Sequence, residues 1–117
     1  MIAGAHIIIY STDADADRAF VRDGLGLKHV DAGGGWLIFA LPPAELAFHS
    51  GDVGGATEFY LMCDDVESEI ARLEAMGRPC EPITEQRWGR LTRIALPGGG
   101  KLAMYQPKHA LAHGESI

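Results

Sequence analysis

The sequence predicts an α+β domain made of two tandem βαβββ modules. Three observations carry that expectation. The stretch 45-ELAFHS-50 returns as 101-KLAMYQ-106, and the longer 39-FALPPAELAFH-49 returns as 94-IALPGGGKLAMY-105 with one extra residue in the turn. Two apolar runs, His6 to Asp13 and Glu58 to Asp65, each lead straight into an acidic helix start. Gly and Pro clusters then punctuate each half at matching places. Self-similarity of this kind is the mark of a duplicated supersecondary unit.

The elements follow in order. The β-branched and aromatic residues from His6 to Tyr10 favour a first strand. Thr12 or Asp13 can cap the helix after it, whose Asp13, Asp15 and Asp17 suit the positive end of a helix dipole. That helix is predicted over 13–24, through Phe20 and Val21, and stops near Gly24 and Gly26. Gly33-Gly34-Gly35 and Trp36 mark the way into a third strand, and Pro42-Pro43 the turn before a fourth. Residues 50–56 hold Gly51, Gly54 and Gly55 and are too short to separate independent domains. In the second half Val66, Ile70 and Leu73 recur at helical spacing, Asp64 or Asp65 caps, and Gly77 with Pro79 ends a helix over 65–77. Trp88-Gly89 leads into a seventh strand, and Pro97-Gly98-Gly99-Gly100 turns it into an eighth. Module one is placed at 3–51, module two at 56–108, and a tail holding His109 and His113 at 109–117.

The chain has 117 residues, a net charge of −6, 47% hydrophobic and 22% charged residues. One domain of this length can bury a sizeable core. No window is apolar and long enough to span a bilayer, and the N-terminus lacks a basic region and cleavage site, so a cytoplasmic protein is expected. Cys63 and Cys80 stand outside any CxxC pattern, and Cys63, in an apolar run, reads as a core residue. An acidic chain with no basic face does not suit nucleic acid. A small molecule or another protein chain is the expected partner.

Two βαβββ units with the joint 61-LMCDDVE-67, the Trp88-Gly89 step and the closing 96-LPGGGKLAMYQP-107 resemble the vicinal oxygen chelate superfamily: glyoxalase I, bleomycin-resistance proteins and extradiol dioxygenases. The resemblance covers His6 to about His109. It implies a curved mixed sheet with the ligand on the concave face, helices on the convex face, and a homodimer.

Strand alternation sorts the candidate site residues. Ile7/Ile9, Leu46/Phe48, Phe59/Leu61/Cys63 and Leu102/Met104 form apolar sets suited to the helix side. His6, Ile8 and Tyr10, Ala47 and His49, Glu58, Tyr60 and Met62, and Ala103 and Tyr105 fall on the opposite face, where a cavity is expected. In metal-using relatives the first and last strands of each module supply four ligands. The resemblance places those positions on His6, Ala47, Glu58 and Ala103. Two of these are alanines, and His49, one pleat beyond Ala47, is the candidate replacement. His6, His49 and Glu58 would give two imidazoles and a carboxylate, a donor set for iron, manganese, nickel or zinc with open positions for substrate. His49 is displaced by two residues, about 6.6 Å along a strand.

Three functions follow from different classes. One is a metal-dependent dioxygenase or lyase using His6, Glu58 and Tyr105 with metal at His6, His49 and Glu58. Another is a metal-free drug- or antibiotic-binding protein with Tyr10, Tyr60, Met62, Ala47 and Ala103 lining the cavity. The third is a metal-free enzyme with His6 or Glu58 as general base. Trp36 and Trp88 read as core or dimer-seam residues, Arg87, Arg90 and Arg93 as a solvated face, His29 as exposed, and His109 and His113 as tail residues of little weight.

Overall fold

Asp13 starts the first helix as its sequence position requires: its carboxylate accepts from the Ala16 N–H at 3.1 Å, and Asp15 and Asp17 fill the first turn. The computed structural model describes residues 6–45, 47–48, 50, 52, 54 and 57–112. Helix α1 spans Ala14–Phe20 and continues as a wider π turn, Val21–Leu25, before Gly26 ends it in the left-handed region at φ 69°. A Cβ on Gly24 would lie 2.6 Å from two Phe20 ring carbons, so only glycine lets that ring fold back beneath the turn. Strands β1 (His29–Asp31) and β2 (Leu37–Phe39) form an antiparallel hairpin with Val30 opposite Ile38. Its loop uses Gly33, Gly34 and Gly35 at positive φ, closed by the Asp31 carboxylate accepting from the Gly33 N–H at 2.8 Å.

The second half runs β3 (Tyr60–Met62), α2 (Val66–Ala75), β4 (Thr84–Glu85), β5 (Gly89–Ala95) and β6 (Lys101–Pro107). Strand, helix and three strands therefore occur in the expected order. They pair as β3-β6-β5-β4, with β3 parallel to β6 and the other neighbours antiparallel. Asp65 caps α2 through the Ser68 N–H at 3.2 Å, and Gly77, at φ 82°, lets the chain leave it. Leu96 and Gly100 close the β5–β6 turn through the Leu96 N–H, 2.9 Å from the Gly100 carbonyl.

Both helices lie on one face of the four-stranded sheet. Phe20 from α1 and Val66 and Leu73 from α2 share a core with Ile94 and Leu96 around the end of β5, Leu102 and Met104 of β6, and Cys63. Burial there pushes the Cys63 thiol up to about 12, which fits a core residue rather than a nucleophile. Arg72 ties the helices together by donating to the Gly24 carbonyl at 2.7 Å. The α1 N-terminus is bolted to the β5–β6 turn: Asp17 accepts from the Gly98 N–H at 2.8 Å, and Thr12 donates to the Gly98 carbonyl at 2.6 Å. No helix among the described residues is long and apolar enough to cross a membrane.

The first half departs from expectation in its outer strands. Residues 6–10 and the described residues between 45 and 50 form no ladder. Ile8, Tyr10 and Phe48 are 68%, 93% and 90% exposed. These strands depend on distant partners to be held, whereas the caps and the hairpin are closed by residues a few positions apart. Trp36 is exposed too, so it has no core role within the chain. Arg90 corrects the reading of a solvated arginine row. Its fork donates to Glu67 of α2 at 2.7 Å and Glu85 of β4 at 2.8 Å, stitching the helix to the sheet edge.

Candidate functional site

The face of the sheet away from the helices is set by register. Tyr60 of β3 lies opposite Ala103 of β6, which lies opposite Arg93 of β5; Met62, Tyr105 and Leu91 form the next row. Since Leu102, Met104 and Ile94 point into the core, alternation turns Ala103, Tyr105, Leu91 and Arg93 to the open side. Leu91 is buried yet outside that core.

Three aromatic rings meet on this face. Trp88 and Tyr105 have centroids 5.1 Å apart at 81°, Tyr60 and Tyr105 are 5.9 Å apart at 86°, and Tyr60 and Trp88 are 5.9 Å apart at 70°. Each is an edge-to-face pair within the favourable range. Gly89 makes the cluster possible, because a Cβ there would lie 2.6 Å from the Tyr105 ring and 2.7 Å from the Gln106 carbonyl. Trp88 is held in a tight turn whose Gln86 N–H donates to the Gly89 carbonyl at 2.8 Å. The Lys108 N–H donates to the Trp88 carbonyl at 2.8 Å, bringing the chain after β6 alongside.

That approach delivers His109. Its Nε2 is 2.8 Å from the Tyr105 hydroxyl, its Nδ1 is 2.9 Å from the Ala110 carbonyl, and its ring lies 5.8 Å from that of Tyr105. The Tyr60 hydroxyl donates to the Glu58 carboxylate. This bond, with burial, raises the Tyr60 phenol above its usual range; burial, with the charge of Glu45, raises that of Tyr105. Both phenols therefore stay protonated at neutral pH.

The sequence-based candidates divide. Glu58, Tyr60, Met62, Ala103 and Tyr105 lie on or beside the open face. His6 and Tyr10 sit in an exposed stretch that joins no ladder, Ala47 is exposed, and His49 lies outside the described residues. Among the described residues no three His, Cys, Asp or Glu side chains gather to hold a metal ion. The donors on the open face do not fit one either: Glu58 is bonded to Tyr60, and the central β6 position carries the methyl of Ala103. Trp88 and His109 were not singled out by the sequence for this face. The spacing of Tyr105 and His109 was the available signal, but it lies across the end of a strand, where no helical or strand period applies.

A recess of about 350 Å³ lies elsewhere, between the helices, lined by Phe20, Asp23, Met76 and Arg78 among others. Its charged groups are already engaged: Asp23 with Arg22 at 2.8 Å and Arg78 with the Ala95 carbonyl at 3.3 Å. The ring cluster is the better candidate because it gathers three aromatic rings and two hydroxyls on one sheet face.

Solved structures of known proteins share this architecture. TnmS3, an antibiotic binding protein from Streptomyces sp. CB03234, superposes with a TM-score of 0.64 at 22% identity, over 92% of this chain and 100% of that one. The chain has the glyoxalase/bleomycin-resistance fold. A lactoylglutathione lyase from Agrobacterium tumefaciens matches with a TM-score of 0.65 at 22% identity, over 89% of this chain and 92% of that one. A glyoxalase/bleomycin resistance protein from Streptomyces sp. CB03234 matches with a TM-score of 0.58 at 23% identity, over 82% and 93% of the two chains. No protein-family model matches the sequence, and no curated protein does. At 22–23% identity these likenesses show the fold alone, a mixed sheet with helices.

Proposed function

We propose that this chain is a binding protein for small aromatic molecules, seated on the open face of the β3-β6-β5-β4 sheet without a resident metal. The observation that carries this reading is the cluster of Tyr60, Trp88 and Tyr105, whose centroids lie 5.1–5.9 Å apart. Three rings meeting edge to face offer apolar walls with hydroxyls at fixed points, the composition of a small-molecule site. The antibiotic-binding protein with the same fold supports the choice.

The tandem-module plan is retained: residues 3–51 would add their own first and last strands to complete a curved sheet around the ligand. We further propose a homodimer in the cytoplasm. Exposed Ile7, Ile8, Ile9, Tyr10 and Phe48 support it, since such an apolar run asks for a covering surface. Sedimentation at micromolar concentration tests this, and a monomer would refute it.

Saturation-transfer NMR against a panel of aromatic antibiotics and fragments tests the binding reading. Ligands are expected to bind with and without chelator, and Tyr60→Ala with Tyr105→Ala should abolish the signal. Binding that disappears with chelator would overturn it. In that case the second reading takes over, a metal-dependent enzyme in which His6, His49 and Glu58 hold a divalent ion and Tyr105 assists. Its support is the fold shared with a lactoylglutathione lyase. It requires about one metal per cavity and loss of metal in His49→Ala, whereas Ala103→Glu would create a tight site only in a metal-free parent.

A further inference from the structure

The hydrogen bonds of the two tyrosines fix which polarity their hydroxyls show a ligand. His109 Nδ1 is 2.9 Å from the Ala110 carbonyl, an atom that only accepts, so in the neutral ring Nδ1 carries the proton. Nε2 is then an acceptor, and the 2.8 Å contact with Tyr105 must be the phenol donating to the imidazole. Tyr60 spends its single proton on the Glu58 carboxylate in the same way. A phenol has one proton and two lone pairs. Each tyrosine therefore commits its proton to a neighbouring protein group and leaves oxygen lone pairs available.

We infer that the site selects aromatic molecules that present hydrogen-bond donors, such as ring N–H, amino or phenolic groups, and discriminates against isosteres that bring only acceptors. This rests on the binding reading above. Charge agrees with it: the carboxylate of Glu58 accepts from Tyr60 and that of Glu45 lies near Tyr105. Arg93 and Lys101, the cations that alternation puts on this face, are drawn toward Glu81 at 3.7 Å and 2.7 Å. His109 is thus a positioning residue. It touches no ligand but decides which way the Tyr105 hydroxyl points.

The test compares indole with benzofuran, planar isosteres that differ in carrying an N–H donor or an oxygen acceptor. Their affinities are measured by ligand-observed NMR on the full chain. Indole should bind about fivefold or more tightly, the worth of one net hydrogen bond. The Tyr60→Phe/Tyr105→Phe pair keeps both rings but should lose that preference. His109→Ala should shrink it while indole still binds, because the freed Tyr105 hydroxyl can then donate. Equal or tighter benzofuran binding, or a preference that survives removal of both hydroxyls, would overturn the inference and leave the binding reading standing. Failure of the wild-type chain to bind either compound would overturn both.

Discussion

Gly89→Ala should damage the site and the sheet together, and the structure says by how much. The new Cβ would lie 2.6 Å from Tyr105 Cδ2, 2.7 Å from the Gln106 carbonyl oxygen and 3.3 Å from Tyr105 Cε2. The ring can swing away, but the carbonyl belongs to β6 and is fixed by a seven-residue ladder running from Gly89 opposite Pro107 to Ala95 opposite Lys101. Relief therefore needs both a displaced ring and a shift of backbone. Overpacking of this kind costs about 2 kcal/mol. At roughly 3–6 °C per kcal/mol for a domain of this size, Tm should fall by roughly 6–12 °C. The control is Gly100→Ala at the far end of the same hairpin. There the nearest atom would be Leu96 Cδ1 at 3.9 Å and the backbone is not left-handed. That substitution should be neutral or raise stability by roughly 0.4–1 kcal/mol, by narrowing the unfolded ensemble. Thermal denaturation followed by far-UV circular dichroism, with indole affinity measured in parallel, separates them. Equal melting temperatures for the two variants, or wild-type ligand affinity in Gly89→Ala, would refute the account of how Tyr105 is seated.

Other expectations concern the core, a buried hydroxyl and acid stability. Leu73, wholly buried between α2 and the sheet, should cost about 2–5 kcal/mol as Leu73→Ala, read from the urea midpoint. Thr92 is 1% exposed and donates to the Glu81 carbonyl at 2.7 Å. Thr92→Val should lose about 1–2 kcal/mol by orphaning that carbonyl, and Thr92→Ser should recover part of it. Asp65, Glu81 and Glu85 are held below the usual carboxylate range by, respectively, the Ser68 N–H, Lys101, and Arg90 with Lys108. Their stabilisation is present above their unfolded pKa values, near 4, and is lost as pH falls through the depressed folded values. The urea midpoint should therefore fall below about pH 4, and Glu85→Gln should flatten that dependence; an unchanged slope would contradict it.

Much of the second half was legible because local and tertiary signals agree there. In 101–105 the alternation of Leu102 and Met104 with Ala103 and Tyr105 names the buried face, and the register confirms it. Asp13, Asp65, Gly26 and Gly77 bound their helices as capping chemistry requires. The first half was less legible, although its sequence is as strand-like. Ile7 to Tyr10 has the right residues, but β-branched content does not supply a neighbouring strand, and among the described residues none is paired with it. The site was half visible. Parity places Tyr60 and Tyr105 together, whereas His109 follows Pro107, beyond the last periodic element. Its role depends on the chain doubling back past Trp88, which no local pattern announces.

The central claim is that the rings of Tyr60, Trp88 and Tyr105 form a binding site that works without metal. The direct measurement is Trp88 fluorescence in a Trp36→Phe chain, which leaves Trp88 as the sole tryptophan. The metal content of the same sample is determined before and after chelator. Titration with a donor-bearing aromatic ligand should give saturable quenching of one curve, identical in both samples, and abolished by Tyr60→Ala with Tyr105→Ala. Quenching that needs about one bound divalent ion per chain, or ligand binding that leaves Trp88 emission unchanged, would contradict it.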